Sequence, residues 1–478
     1  MPVKIIHHSR TRLSIKSIFR RLYVFIVLAF FLHGIAEAKV IRTNPETIKR
    51  LLPTLHPGDT MVLSPGFYAP LLLSRLNGMP GAWISIEGGN SPDGAEAAVI
   101  VGEPCCNTVE IQNSSYLSIA RLRVDSAGIR GVFGISARGG TTNRVHDILI
   151  RDNVLVGQNG SQQTDGISTK TPTWNWTIRG NKIFGAGTGL YLGDSDGSEP
   201  FIGGIIENNL IHDTIGYNME IKYQNPRPSV PGMPTGSSTT IVRNNTFIKG
   251  DEPSPDGNRP NVLIGGLPTA GPGSDDLYQI YGNFFDHNPH EALLQASGRV
   301  AIHDNLFVGG KLAAIVLKDQ DLPLKLADVY NNTVYSAQRG IDIEAPAKAA
   351  TNVVGNLIFS AKPMSGTVTN QSGNVVDAIA SAPVYVVSPS FVIGLMSFYP
   401  IPGPGAEQGP PLDLSPFASQ IDYDKDFNGT PKNRFSGKTV FRGAYAGEGI
   451  NPGWKVQAGI KPELPQSRSS VATIRKLR

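Results

Sequence analysis

Glu220 and Lys222 stand two residues apart in the stretch NMEIKYQN, which runs from Asn218 to Asn225. Apolar Met219 and Ile221 alternate with them, the period of a half-buried strand. The carboxylate and the ammonium therefore share one side. A pair this close can exchange a proton, meet a substrate carboxylate or steady a reacting oxygen. The plainer reading is a solvated strand face, with a pair worth ~0.5 kcal/mol. The choice depends on what stacks beside this strand.

The surrounding chain is repetitive. LIRDNVLVG around Asn153, TIRGNKIFG around Asn181 and IIENNLIHD around Asn209 share one pattern, which returns around Asn245, Asn283, Asn305, Asn332 and Asn356. The intervals are 28, 28, 36, 38, 22, 27 and 24 residues. Each copy is a short apolar strand, a bend at the asparagine and a second short strand. A further strand column follows: GISTK from Gly166, GLYLG from Gly189, NMEIK from Asn218, NVLIG from Asn261, then EALLQ, AIVLK and GIDIE. The longer intervals are coils carrying an inserted loop. Such a unit cannot bury its apolar side alone, so coils stack and their strands pair in parallel. Asparagine suits the bend because its side chain bonds backbone and tolerates left-handed geometry. Stacked, the asparagines form a structural ladder.

With this repeat the chain resembles the right-handed parallel β-helix proteins, an all-β solenoid class, over roughly Val40 to Ser360. The opening TIKRLLPTLHPGDTMVLSPGFYA reads as a short capping helix and a first coil. It is similar to the openings of alginate- and chondroitin-type polysaccharide lyases, through Gly58, Asp59, Thr60, Gly66 and Tyr68. A cap is expected because an open solenoid end leaves unpaired strand edges. The resulting organisation is a leader at 1–38, a β-helix at 39–370, a Pro-rich covering or cap segment at 371–463 and a basic, disordered tail at 464–478. The segment from Asp422 to Gly447 resembles the C-terminal ending of many secreted β-helix proteins. A calcium loop at Asp422, Asp424 and Asp426 is the alternative there.

Aligning the second column places Ser168/Lys170, Tyr191/Gly193, Glu220/Lys222, Leu263/Gly265, Leu293/Gln295, Val316/Lys318 and Asp342/Glu344 outward. Adjacent coils lie ~4.8 Å apart, so Tyr191 is predicted beside Glu220, and Lys170 and Lys222 on either side of Gly193. A glycine between two lysines suggests a hollow for a sugar ring. Long loops after this column, at 193–204, 223–239 and 265–276, are predicted to wall it.

Three functions fit. In a polysaccharide lyase or uronate epimerase, Lys222 is the base, Lys170 or Arg227 neutralises the sugar carboxylate and Tyr191 donates a proton. Glu220 completes the catalytic set. Asp165, Ser168, Tyr223 and Trp174 join Arg227 as candidate substrate contacts, with Trp176 as able as Trp174 to pack a loop instead. Asp194, Asp196 and Glu199 are candidate Ca²⁺ ligands. The stretch NNLIHDTIGYNMEIKYQN resembles the Asn…Glu…Lys stretch of the chondroitinase B and alginate lyase group, without its second glutamate and with a shorter Glu-to-Lys spacing. In a glycoside hydrolase, Asp165 pairs with Asp194 or Asp196. QTDGIS, from Gln163, resembles the NTDG stretch of polygalacturonases, whose Asp-Asp-Cys and Gly-His-Gly stretches are missing here. The third reading is a non-catalytic module that binds glycan at a cell surface.

The remaining features bound these choices. A basic stretch from Lys4 to Arg21, an apolar run from Leu22 to Leu32 and Ala36/Ala38 make a secretory leader, so a secreted, periplasmic or extracellular bacterial protein is expected. An uncleaved anchor is the alternative; no other stretch is apolar enough to span a bilayer. The chain holds 43 basic and 39 acidic residues, and residues after 38 hold 37 and 38. That balance gives no support to nucleic-acid binding. The expected partner is a polysaccharide, and the expected state a monomer. Cys105 and Cys106 are adjacent, so no disulfide framework holds the fold. His287 and His290 lie across an Asn-Pro bend and read as incidental loop residues rather than metal ligands.

Overall fold

The computed structural model describes residues 37–104, 107–344, 348–403, 410–432 and 438–463. The leader up to residue 36, Cys105, Cys106 and the basic tail lie outside them. Among the described residues three long parallel sheets wind together. Sheet I has 15 strands, from Val40–Thr43 to Asn370–Ser372. Sheet II has 12, from Gly66–Tyr68 to Val375–Asp377. Sheet III has 11, from Leu71–Ser74 to Lys362–Gly366. A typical coil gives one strand to each sheet, as Val145–Arg151, Val154–Val156 and Asp165–Lys170 do, and two coils add a second short strand to sheet I, Thr173–Trp174 and Phe201–Ile202. The strands of successive coils pair in parallel, so the chain is the expected parallel β-helix and its solenoid runs past residue 370 to Asp377.

The interior is built from like residues stacked in register. Ile150, Ile178, Ile206, Val242 and Ile280 follow one another on sheet I, all fully buried. On sheet II the rings of Phe247, Phe285 and Phe307 stack at centroid distances of 5.2 and 4.5 Å. Each such side chain contributes about 1.5–3 kcal/mol on burial. Branched aliphatics suit this surface because they pack on a pleat with little rotamer loss.

The asparagine ladder occupies the corner between sheets I and II. Asn181 donates its Nδ2 to Asn209 Oδ1 at 3.0 Å and to the Ile150 carbonyl of the preceding coil at 2.9 Å. Its backbone N–H reaches the same Asn209 oxygen at 3.0 Å. The pattern repeats from Asn153 to Asn374. The left-handed backbone, however, falls one residue earlier than expected: on Asp152 (φ 57°), Asn208 (φ 53°), Asn244 (φ 56°) and Asp304 (φ 53°). The ladder residue must aim its amide inward, so its predecessor makes the corner.

At the N-terminal end a single helical turn, Ile48–Leu51, runs into the 3-10 turn Leu52–Thr54. Ile48, Leu52 and Leu55 bury against the first coils. At the other end the chain folds back along the solenoid. Phe398, Phe427, Tyr445 and Trp454 pack on Phe284, Leu306 and Leu357 of sheet II. Leu412, Leu414 and Phe417 pack on Tyr330 and Val354 of sheet I. Among the described residues, none of these apolar clusters forms on sheet III. The outer row of sheet III is itself largely buried, with Ser168, Glu220, Leu263, Gln295, Val316 and Asp342 at most 8% exposed, and Lys170, Tyr191 and Lys222 are its half-buried members.

The acidic run near Asp422 is a folded turn. Asp426 accepts N–H bonds from Asn428 (2.9 Å), Thr430 (2.7 Å) and Ala446 (2.9 Å), while Asp422 pairs with Lys425 at 2.5 Å. The Asp422 and Asp426 carboxylates serve the local backbone and a lysine rather than converging.

Candidate active site

Register on sheet III aligns Ser168, Tyr191, Glu220 and Leu263 across four coils, as the alternation predicts. Gln295 continues the row. Leu293, expected outward, is inside: it joins the interior core, because the residue before each of these strands turns inward as well as the next. Gly166 and Asn218 show the same inward turn. A Cβ on Gly166 would meet the Ile183 side chain at 3.0 Å, and the Asn218 amide donates to the Ile248 carbonyl at 3.0 Å. This doubled step sends Asp165 outward, although it shares the parity of interior Ile167.

The half-buried part of this face gathers the charges around Tyr191. Lys170 Nζ lies 4.7 Å from the centre of the Tyr191 ring and 4.4 Å from that of Phe133. Lys222 Nζ lies 5.7 Å from the Tyr191 ring. Each lysine also meets a carboxylate: Lys222 Nζ to Glu220 Oε1 at 2.8 Å, and Lys170 Nζ to Asp165 Oδ2 at 3.4 Å. The second contact lacks hydrogen-bond alignment, so that buried oxygen has no hydrogen-bond partner among the described residues. The carboxylates are the buried halves, at 2% and 5% exposure for Asp165 and Glu220, against 29% and 17% for Lys170 and Lys222.

Burial sets the protonation here. It raises Asp165 from its ordinary 3.8 to about 7, against the pull of Lys170. It raises Glu220 too, and Lys222 offsets part of that. Burial, with Glu220, Asp165 and Asp194 nearby, pushes the Tyr191 phenol up as well, so it is a proton donor and not a phenolate at neutral pH. Tyr217 is raised by burial and by the same Glu220.

The hollow expected at Gly193 is filled. A Cβ there would meet Lys222 Cβ at 3.1 Å and the Glu199 carbonyl oxygen at 3.4 Å, and φ is +98°. The glycine is required by its backbone, and the space between the lysines is instead roofed by their own side chains over Tyr191.

Other predicted residues are placed elsewhere. Arg227 is 2% exposed, paired with Asp276, and donates to the Pro234 and Gly236 carbonyls at 2.8 and 2.7 Å. It clamps its loop and does not face the groove. Trp174 is buried, stacks on His146 at 4.6 Å and packs on Ile202, Val230 and Met233. Trp176 is buried too, its Nε1 donating to the Val145 carbonyl at 3.2 Å. Ser168 bonds Ser136 at 3.0 Å, a floor contact. The Tyr223 ring packs against Gly197 of the acidic loop, where a Cβ would come within 2.6 Å of it.

Asp194, Asp196 and Glu199 do not form a calcium cage. Asp196 accepts from Ser198 N and Oγ at 2.9 and 2.6 Å, which lowers its pKa. Glu199 is raised to about 7 by burial and by the nearby charges of Asp194 and Asp196. Among the described residues no group of three or more His, Cys, Asp or Glu side chains converges to hold a metal ion. The donor set as folded does not fit Ca²⁺, which takes 6–8 oxygens. His212, on sheet II, pairs with Asp213 at 2.7 Å, and His287 with Asp251 at 2.6 Å.

Residues that the sequence did not single out complete the groove. Arg259 lies 5.7 Å from the Tyr217 ring centre, and both Arg259 and Asp321 act on Glu220. Phe133 lies under Lys170. The 38-residue interval between Asn245 and Asn283 signalled an insertion, but not where it would fold.

A family model described as "Right handed beta helix region" matches residues 107–378. No curated protein matches the chain. Among solved structures, an alginate lyase from Paenibacillus sp. str. FPU-7 is 13% identical, covering 71% of this chain and 99% of that one, with a TM-score of 0.37. Pectate lyase Pel9A is 14% identical, with coverages of 86% and 97% and a TM-score of 0.48. A GH136 lacto-N-biosidase from Eubacterium ramulus is 10% identical, with coverages of 76% and 71% and a TM-score of 0.43.

Proposed function

This chain belongs to the right-handed β-helix family, and from that premise we propose that it cleaves or epimerises an anionic polysaccharide in the groove of sheet III. The observation that carries the reading is the Tyr191 ring flanked by two lysine ammoniums, each backed by a buried carboxylate. Abstraction of the proton next to a uronate carboxylate needs that carboxylate neutralised, a base and a nearby acid. Lys170 faces the sugar carboxylate; below about pH 7 Asp165 is protonated and leaves its charge unspent. Lys222 passes its proton to Glu220, 2.8 Å away, once substrate excludes water, and takes the sugar proton. Tyr191, held protonated, delivers a proton to the leaving oxygen in elimination, or back to carbon in epimerisation. No step passes through a metal. The leader alone supports placing this reaction in the periplasm or outside the cell.

The test is ultraviolet absorbance of the unsaturated product on a panel of uronic-acid polysaccharides, with Lys222→Ala and Tyr191→Phe beside the wild type. Absorbance lost in both variants supports elimination. Silence across the panel, in protein with intact β circular dichroism and without isotope exchange from solvent into the sugar, sinks the reading. A hydrolase remains the second reading because Asp165, raised to about 7, and Glu220 are two buried carboxylates on the same face, two coils apart. New reducing ends without new absorbance would favour it.

A further inference from the structure

The groove holds a cation that its chemistry does not use. Lys170 and Lys222 each meet a carboxylate, whereas Arg259 forms no ion pair among the described residues. Its guanidinium is fixed all the same. Nη1 donates to the Asn258 carbonyl and Nη2 to the Asp256 carbonyl, both at 3.0 Å, and the group lies 5.7 Å from the Tyr217 ring centre. Bonds to neutral carbonyls orient the fork without cancelling its charge.

The loop that carries Arg259 is built to stay there. It leaves sheet II after Lys249 and folds back along the turns that lead into sheet III, as far as the coil of Gln162. Gln162 Nε2 donates to the Gly257 carbonyl at 2.9 Å, and Gln162 Oε1 accepts from Asp256 N at 2.8 Å. Ser254 Oγ donates to the Ile215 carbonyl at 2.6 Å, and Asn288 Nδ2 to the Arg259 carbonyl at 2.9 Å. A solvated loop has no need of four long-range anchors. Here they hold a charged side chain at a wall of the groove.

We propose that Arg259 is a second contact for acidic groups, apart from the Lys170–Lys222 centre, so that the groove selects polysaccharides with acidic groups on more than one sugar. This rests on the reading of the sheet III groove as a polysaccharide site. Tyr217, under Arg259, lies before the strand Met219–Ile221 and Lys222 after it, so Arg259 and Lys222 enter the groove from opposite ends of that strand. Asp321 and Glu291 also lie near Tyr217, without an ion pair to Arg259 among the described residues.

The test is calorimetric binding of uronic-acid oligosaccharides and of the same oligosaccharides with their carboxyl groups reduced to alcohols. Wild type, Arg259→Gln, Arg259→Lys and Lys222→Ala are compared, each checked for fold by circular dichroism. We expect Arg259→Gln to bind the acidic ligand about tenfold more weakly and the reduced ligand unchanged, with Arg259→Lys between. Equal weakening toward both ligands would reduce Arg259 to a loop support and overturn the proposal. Unchanged acidic binding in Arg259→Gln, with Lys222→Ala weakened, would overturn it while leaving the groove reading intact. Wild type that binds neither ligand would overturn the groove reading, and this inference with it.

Discussion

Two regions of this solenoid pair lysine with aspartate or glutamate at similar distances, and they do opposite things. Under the C-terminal segment, Lys432 Nζ meets Asp304 Oδ1 at 2.6 Å, with side chains 0% and 2% exposed. Lys432 also donates to the Gly443 carbonyl at 2.8 Å, and His303 Nδ1 meets the other Asp304 oxygen at 2.9 Å. Nearby Lys461, buried to a pKa of about 7, spends its ammonium on Asn244 Oδ1 and the Gly282 and Phe427 carbonyls. On sheet III the carboxylates are as deep, but Lys170 and Lys222 are only half-buried. The difference is the cover. A sealed pair fastens the C-terminal segment to sheets I and II, and an open pair stays available to a ligand.

The comparison predicts its own failures. Lys432→Ala strands Asp304 in a sealed site and should cost about 3–5 kcal/mol in denaturant unfolding. A loss below ~1 kcal/mol would erase the distinction. Lys222→Ala should cost about 10²–10⁴ in turnover while unfolding shifts by ~1 kcal/mol or less, because Glu220 can take up a proton. An unfolding loss as large as that of Lys432→Ala would make the groove pair structural. Asn283→Ala breaks the ladder between the two regions, leaving the buried Asn245 backbone N–H without its acceptor; about 1–3 kcal/mol is expected, with groove binding retained.

The last effect is in pH. Asp165 titrates at about 7 in the fold and at the ordinary 3.8 unfolded, so between these values the fold binds more protons. Stability from this group is therefore greatest below that window and falls as pH rises through it. Asp165→Asn should flatten that slope between pH 4 and 7 in a series of melts. A slope unchanged in the variant would place its origin in other groups, Glu199 first among them.

How much of this was legible depended on how local the signal was. The ladder and the row Ser168–Tyr191–Glu220 follow from a repeat in the sequence, and the register bears them out. Leu293 and the Gly193 hollow went astray because strict alternation ignores the extra inward residue at the strand start and the approach of Lys222. Arg227 and Trp174 looked available because burial by an inserted loop leaves no periodic trace. Arg259 was silent for the same reason.

By itself, the sequence determined the coil. A recurring asparagine and alternating aliphatics can bury themselves and satisfy their amides in few other ways than by stacking in parallel. That argument needs only neighbours a few tens of residues apart. The tertiary structure alone decided which charges stay half-buried, which are sealed and which arginine stands over the groove. Those outcomes rest on where long insertions and the C-terminal segment land, and they are set by contacts such as Gln162 with Gly257 and Lys432 with Asp304, distant in sequence and without a period to announce them.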